Sequence, residues 1–215
     1  MKNSERSEAR KNRILDIAEA LFVEKGYEHT TINDVLNASG IAKGSLYYYF
    51  KSKEDVLDGI IERRSDEHLR VALDIAKDDR LNAQEKLLRI ILSLQPKDES
   101  QKKLTTDLEQ SSNGQMFIKS LKHIVLRLAP VLGGVAEQGI AEGVFSTPYP
   151  LESSEILLAA AHALFDNGDF SWTQEEEMQK VTAFVLAVER TIGAAEGSLL
   201  GLVWSAVTEG DYSHV

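Results

Sequence analysis

Cysteine is absent from this chain of 215 residues, so neither a disulfide nor a thiolate metal site is possible, and an intracellular setting is the simplest reading. Long apolar runs are missing too. No stretch approaches the roughly 18 apolar residues of a membrane span, and Met1 to Glu5 begins no apolar segment. A soluble, cytoplasmic protein with no membrane partner is expected. The five histidines form no close cluster with Asp or Glu, which gives no reason to expect a metal. A Gly-rich phosphate loop after a strand, HExxH and GxSxG are all missing, and no Ser-His-Asp combination has a telling spacing. No catalytic residue and no cofactor is therefore assigned. Credible strand alternation is also lacking, so the chain is expected to be all-α.

The most specific stretch present is Thr31 to Lys53, TINDVLNASGIAKGSLYYYFKSK. Thr31 reads as an N-cap with Asp34 as its N3 partner, which opens a short helix carrying Val35 and Leu36 on its apolar side. Ser39-Gly40 breaks that helix, because glycine enters conformations other residues reach only with strain. A second short helix follows from about Ala42 to Tyr48, with Ile41 and Leu46 turned inward. Helices this short are not stable alone. Joined by a tight turn containing Gly, they match the helix-turn-helix pattern, whose second helix enters the DNA major groove.

Tyr47, Tyr48 and Tyr49 are consecutive, so on a helix they point about 100° apart and at least one must be exposed. Phe50 has no polar handle and belongs in the core. Ser52 is placed to cap the next helix with Asp55 at N3. Lys43 and Ser45 are the candidates for base edges, with Asn33 as a third, and Gly44 permits close approach. Thr31, Tyr47, Tyr48, Tyr49, Lys51 and Lys53 suit phosphate positioning. An ordinary helical hairpin with surface tyrosines and lysines is the competing reading of the same residues.

From about Arg10 to Leu57 the sequence resembles the DNA-binding domain of the TetR family of transcriptional regulators. The residues that carry the resemblance are Phe22 with Gly26, Thr31, Ser39-Gly40-Ile41, Gly44, Tyr47-Tyr48-Tyr49-Phe50, and Lys53 with Leu57. Two positions depart from the family pattern: Leu36 and Ser39 stand where alanine is usual. The resemblance implies a dimer formed through two C-terminal helices and a small-molecule pocket in the middle helices.

A formal net charge of −10 argues at first against DNA. The charge is unevenly spread. Residues 1–65 hold 11 basic and 11 acidic side chains, whereas residues 66–215 hold 13 and 23. Arg10, Lys11 and Arg13 lead the first helix, and placement outweighs the sum because a binder neutralises only the phosphates it touches.

Residues 1 to about 8 are expected to be a frayed leader, and Ile14, Ile17, Ala18, Leu21 and Phe22 give the next segment an amphipathic stripe closed by Gly26. A long helix from Lys53 to about Ala76 is expected to carry the domain boundary inside it. The expected domains are residues 1–65, a helix-turn-helix DNA-binding domain, and residues 66–215, a helical effector-binding and dimerisation domain. A shift at the far end of that helix would move the reader at its near end. Further helices are expected over Ala83–Leu94, Ser100–Ser112 and Gln115–Ala129, with Pro130 kinking the last or opening a continuation to Val144. Glycines 133, 134, 139 and 143 permit close packing or leave room for a small molecule.

The two closing helices, about 152–167 and 174–204, carry small-residue faces at Ala159 to Ala161, Ala163, Ala183, Ala187, Ala194 and Ala195 that suit pairing in a homodimer. Thr173 is placed to cap the second of them, with Glu176 at N3. Effector-pocket candidates are Met116, Phe117, His123, His162 and Phe165, among which the histidines also fit ordinary packing. The whole reads as a ligand-responsive regulator that binds a palindromic DNA operator as a dimer and represses transcription until an effector releases it. A helical protein-interaction module that has lost DNA binding, or a small all-helical enzyme, remains the alternative.

Overall fold

The computed structural model describes residues 2–94, 115–166 and 172–209. Every regular element among them is helical: α1 (Lys2–Lys25), α2 (Ile32–Ser39), α3 (Lys43–Tyr49), α4 (Lys53–Ala76), α5 (Ala83–Ser93), α6 (Gln115–Ala141), α7 (Pro150–Ala161), α8 (Gln174–Ile192) and α9 (Ser198–Glu209). A π-turn over His162–Asp166 extends α7. The expected helix at Ser100–Ser112 lies outside the described residues. Two compact units divide the chain, and α4 passes from the first to the second between Ser65 and Asp66.

The first unit is built on the stripe of α1. Ile14, Leu15, Ala18 and Phe22 are buried against Val35 of α2, Leu46 of α3, Phe50, and Val56, Leu57 and Ile60 of α4. These large side chains supply the apolar burial that two-turn helices need to persist. Contact is closest at Gly59 of α4, where an added Cβ would lie 3.0 Å from both Leu15 and Phe50. Helix α1 starts at Lys2, earlier than the frayed leader expected. Its opening turns are rich in good helix formers, and the Ser7 hydroxyl meets the Tyr49 hydroxyl at 3.0 Å. Arg63 braces α4 to α1 by hydrogen bonds of 2.6 Å to Asp16 and 2.7 Å to Glu19.

In the second unit, the core joins Ala72 of α4, Ile90 of α5, Leu128 and Leu132 of α6, Leu158 of α7, Val188 and Ile192 of α8, and Leu199 of α9. Asn82 and Glu85 form a capping box that starts α5. The buried Lys86 ammonium donates to the Ala76 carbonyl and to Gln138 Oε1, both at 2.8 Å, so its charge is not left without partners. Helix α6 continues through Pro130 as one element, so the proline does not open a separate helix. By length and composition Ile118–Ala141 is apolar enough to cross a membrane, a stretch the sequence reading passed over. Its residues Leu128, Ala129, Leu132, Val135 and Ala136 are instead buried in this unit's core.

The glycines of α6 divide by role. At Gly139 a Cβ would fall 2.0 Å from Phe145, and at Gly133 it would fall 3.2 Å from the Leu151 Cα, so both are close-packing sites. Gly134 faces open space, and Gly143 turns the chain with φ 75°.

The expectation of one closing helix over 174–204 is corrected. The chain leaves α8 at Gly193, which is left-handed with φ 69°, and re-enters a helix only at Ser198. The buried Glu189 carboxylate makes this joint, accepting from the backbone N–H groups of Gly197 (2.7 Å), Leu199 (2.7 Å) and Leu200 (3.0 Å). These are orphan donors at the start of α9, which a carboxylate satisfies better than water would. Burial pushes the Glu189 carboxyl pKa up, but the three N–H bonds outweigh it and hold the pKa below its ordinary value.

Candidate nucleic-acid interface

The turn between α2 and α3 is set by local chemistry. The Thr31 hydroxyl accepts from Asp34 N–H at 3.1 Å, while the Asp34 carboxylate accepts from the Thr31 N–H at 2.8 Å and from its hydroxyl at 2.6 Å. Those bonds hold the Asp34 pKa below the usual carboxylate value. Gly40 closes α2 at φ 63°, where a side chain would be strained. Ala42 then caps α3. The two departures from the family pattern are accommodated: Ser39 is buried with its hydroxyl donating to the Leu36 carbonyl at 2.9 Å, and Leu36 packs against the first core.

Helix α3 has one buried side and one open one. Leu46 is fully buried, and Ser45 is half-buried beside α1. On the open side stand Lys43, Gly44, Tyr47 and Tyr48, two pairs at i,i+4 spacing. The Lys43 ammonium lies 5.8 Å from the Tyr47 ring centre, and Tyr48 is 79% exposed, the most open of the tyrosine trio. An added Cβ at Gly44 would meet nothing within 4 Å. That glycine is therefore not required by the protein's own packing.

Other candidates are engaged within the unit. Tyr49 turns its hydroxyl to Ser7 and its ring edge-on to Tyr48 at 5.0 Å. Lys53 donates to the Tyr27 carbonyl at 3.0 Å. Thr31 is committed to its capping box, while Asn33 and Lys51 are exposed. Ser52 caps α4 by accepting from Asp55 N–H at 3.1 Å.

One group that the choice of site residues omitted is Arg10 and Arg13. Both line an open cleft between α1 and the start of α3, together with Ser39, Ala42 and Ser45. Their i,i+3 spacing, on an otherwise apolar-striped helix, was the available signal.

Two family models match. Residues 14–60 match "Bacterial regulatory proteins, tetR family", and residues 97–186 match "Tetracyclin repressor-like, C-terminal domain". The chain belongs to the TetR family. It is 48% identical to the HTH-type transcriptional repressor KstR2 of Rhodococcus jostii (strain RHA1), over 24% of this chain and 26% of that one. The second relative, an uncharacterized HTH-type transcriptional regulator YfiR of Bacillus subtilis (strain 168), is 42% identical over 31% of this chain and 32% of its own length. The chain thus spans about a quarter to a third of these curated relatives. Among solved structures, Salmonella enterica GusR superposes with a TM-score of 0.62 at 18% identity, covering 86% of this chain and 96% of that one, and shows the same fold.

For the effector pocket, Phe165 lies in the π-turn and meets Phe184 at 5.5 Å and Trp172 at 6.2 Å, with Lys180 over the Trp172 ring at 4.7 Å. Phe184, Trp172 and Lys180 were not among the sequence candidates. His162 is buried and His123 half-buried. Met116 and Phe117 fall in α6, but their side chains lie outside the described residues.

Proposed function

We propose that the chain is a ligand-responsive transcriptional regulator, a repressor that binds a palindromic operator as a dimer and is released by a small-molecule effector. The observation that carries this reading is the open face of α3, where Lys43, Gly44, Tyr47 and Tyr48 project from a helix held firmly on its other side. A glycine facing empty space beside a lysine and two tyrosines suits a surface approached closely by a groove. In this reading residues 1–65 bind DNA and residues 66–215 bind the effector and the second subunit.

Lys43 and Gly44 are assigned to base edges, with Asn33 and Ser45 at the margins. Tyr47, Tyr48 and Lys51 are assigned to the phosphates. Thr31, Tyr49 and Lys53 act by holding the reader in place. Dimerisation through α7 and α8 is supported by exposed apolar residues on both helices, Ile156 (65% exposed) on α7 and Met178 (48% exposed) with the exposed Ala183 and Ala187 on α8. The aromatic group around Phe165 is the proposed effector site.

Selection from random duplexes, followed by binding measurements on the enriched sequence, tests the proposal. An enriched palindrome bound by two chains, with Lys43→Ala weakening and relaxing its recognition, is the expected result. A well-folded dimer that enriches no sequence would overturn it.

A further inference from the structure

Arg10 and Arg13 lie on α1, outside the open face of α3. Both are exposed, and among the described residues neither makes a hydrogen bond or an ion pair. Asp16 and Glu19, which follow on the same helix, are engaged by Arg63. Glu5 and Glu8 precede the arginines on α1, but neither forms an ion pair with Arg10 or Arg13 among the described residues. The zero charge sum over residues 1–65 therefore hides two arginines that no carboxylate pairs directly.

That edge borders a space. The cleft has a volume of about 550 Å³, and Ala42, Ser39 and Ser45 face the two arginines across it. Those wall residues are small. The Ser39 hydroxyl is spent on Leu36, whereas the Ser45 hydroxyl makes no hydrogen bond among the described residues. Two guanidinium groups one helical turn apart, lining the same cleft as a free hydroxyl, supply the kind of donors a phosphate diester takes, since each fork can donate two parallel N–H bonds.

We propose that Arg10 and Arg13 of α1 bind a backbone phosphate of the DNA strand beside the α3 reader, with Ser45 closing the far side of the site. The proposal rests on the DNA-binding reading above. It changes the role of Ser45 from base reading to backbone positioning. It also means that affinity for any duplex, and not recognition of one sequence, depends on α1.

The test is the salt dependence of binding to a duplex of about 30 base pairs of mixed sequence, read by fluorescence anisotropy. Each phosphate contact contributes about 0.9 to the slope of log K against log salt. Arg10→Gln together with Arg13→Gln should lower the slope by about that amount, and each alone by part of it, with equal loss on mixed and selected duplexes. Arg10→Lys with Arg13→Lys should restore the slope. Removing two charges from the second unit, Lys77→Gln with Lys122→Gln, should leave it unchanged. Wild-type slopes retained in both glutamine variants would overturn the proposal while leaving the DNA reading intact. Absence of any duplex binding by the wild-type chain would overturn both. Thermal stabilisation by inorganic phosphate that is lost in the glutamine variants, with unchanged duplex slopes, would mark a free-anion site and would also overturn it.

Discussion

The ammonium of Lys53 lies 4.1 Å from the centre of the Tyr27 ring and donates a hydrogen bond of 3.0 Å to the Tyr27 carbonyl oxygen. This contact fastens the first turn of α4 to the chain leaving α1. Replacing Lys53 with Met keeps much of the stem but removes the cation and the donor. Urea unfolding should show a loss of about 1–2 kcal/mol. No change in the urea midpoint would mean that the lysine is free for a partner outside the unit.

Tyr27 itself predicts an alkaline limit. Burial, with help from Glu54, Glu28 and Asp58, raises its phenol to about 12 from an ordinary value of 10.0. The folded state then holds this proton more tightly than the unfolded chain, so the contribution is complete below pH 10 and is lost as pH rises towards 12. Tyr27→Phe should flatten the fall in stability over that window, as followed by circular dichroism at a series of pH values.

At Gly44 stability and binding should separate. Gly44→Ala places a Cβ in open space on a helix, so the folded state should gain up to about 1 kcal/mol. Duplex affinity should nevertheless fall at least tenfold if a groove comes close to this residue. A variant that binds selected DNA as well as the wild type would remove Gly44 from the interface.

Two glycines five residues apart on α6 should respond in opposite directions. Gly139→Ala drives a Cβ into the Phe145 ring and should cost about 1–3 kcal/mol. Gly134→Ala meets nothing within 4 Å and should be neutral or stabilising. Paired denaturant titrations suffice to check this. Equal effects at the two positions would mean that the α6–Phe145 packing is wrong.

Acid should loosen the α8–α9 joint. Because the Glu189 carboxyl is held below its ordinary value of 4.5, its contribution is present above that pH and is lost as pH falls through the lower folded value. Glu189→Gln turns an amide N–H₂ towards the Gly197 N–H and should cost about 2 kcal/mol at neutral pH. The glutamine variant should also lose part of the acid dependence of the wild-type unfolding curve.

The starts of helices were readable because they depend on residues three apart. Thr31 with Asp34 and Thr173 with Glu176 each form the capping box that their spacing implied. The end of α8 was not readable in the same way. Apolar residues continue through Leu199, Leu200 and Leu202, and only the left-handed Gly193, seated against Ser146, ends the helix there. The reader helix shows the same division. Its existence followed from Gly40 and the buried Leu46, but three consecutive tyrosines cannot reveal which of them turns to Ser7, because that depends on how α3 rests on α1. Arg10 and Arg13 were visible as charges, yet their use depends on which acids the fold has already paired with other groups.

The π-turn at His162–Asp166 bears on how this chain can change in length. A π-turn accommodates one residue more than an α-helical turn does, so the side chains within His162–Asp166 are shifted in phase, by up to about 100°, from where unbroken helix would put them. Loss of a single residue from this turn would restore ordinary helical hydrogen bonding while leaving the preceding turns in phase. Insertions and deletions among relatives are then expected to collect at this joint, where they would re-aim Phe165 without dismantling α7.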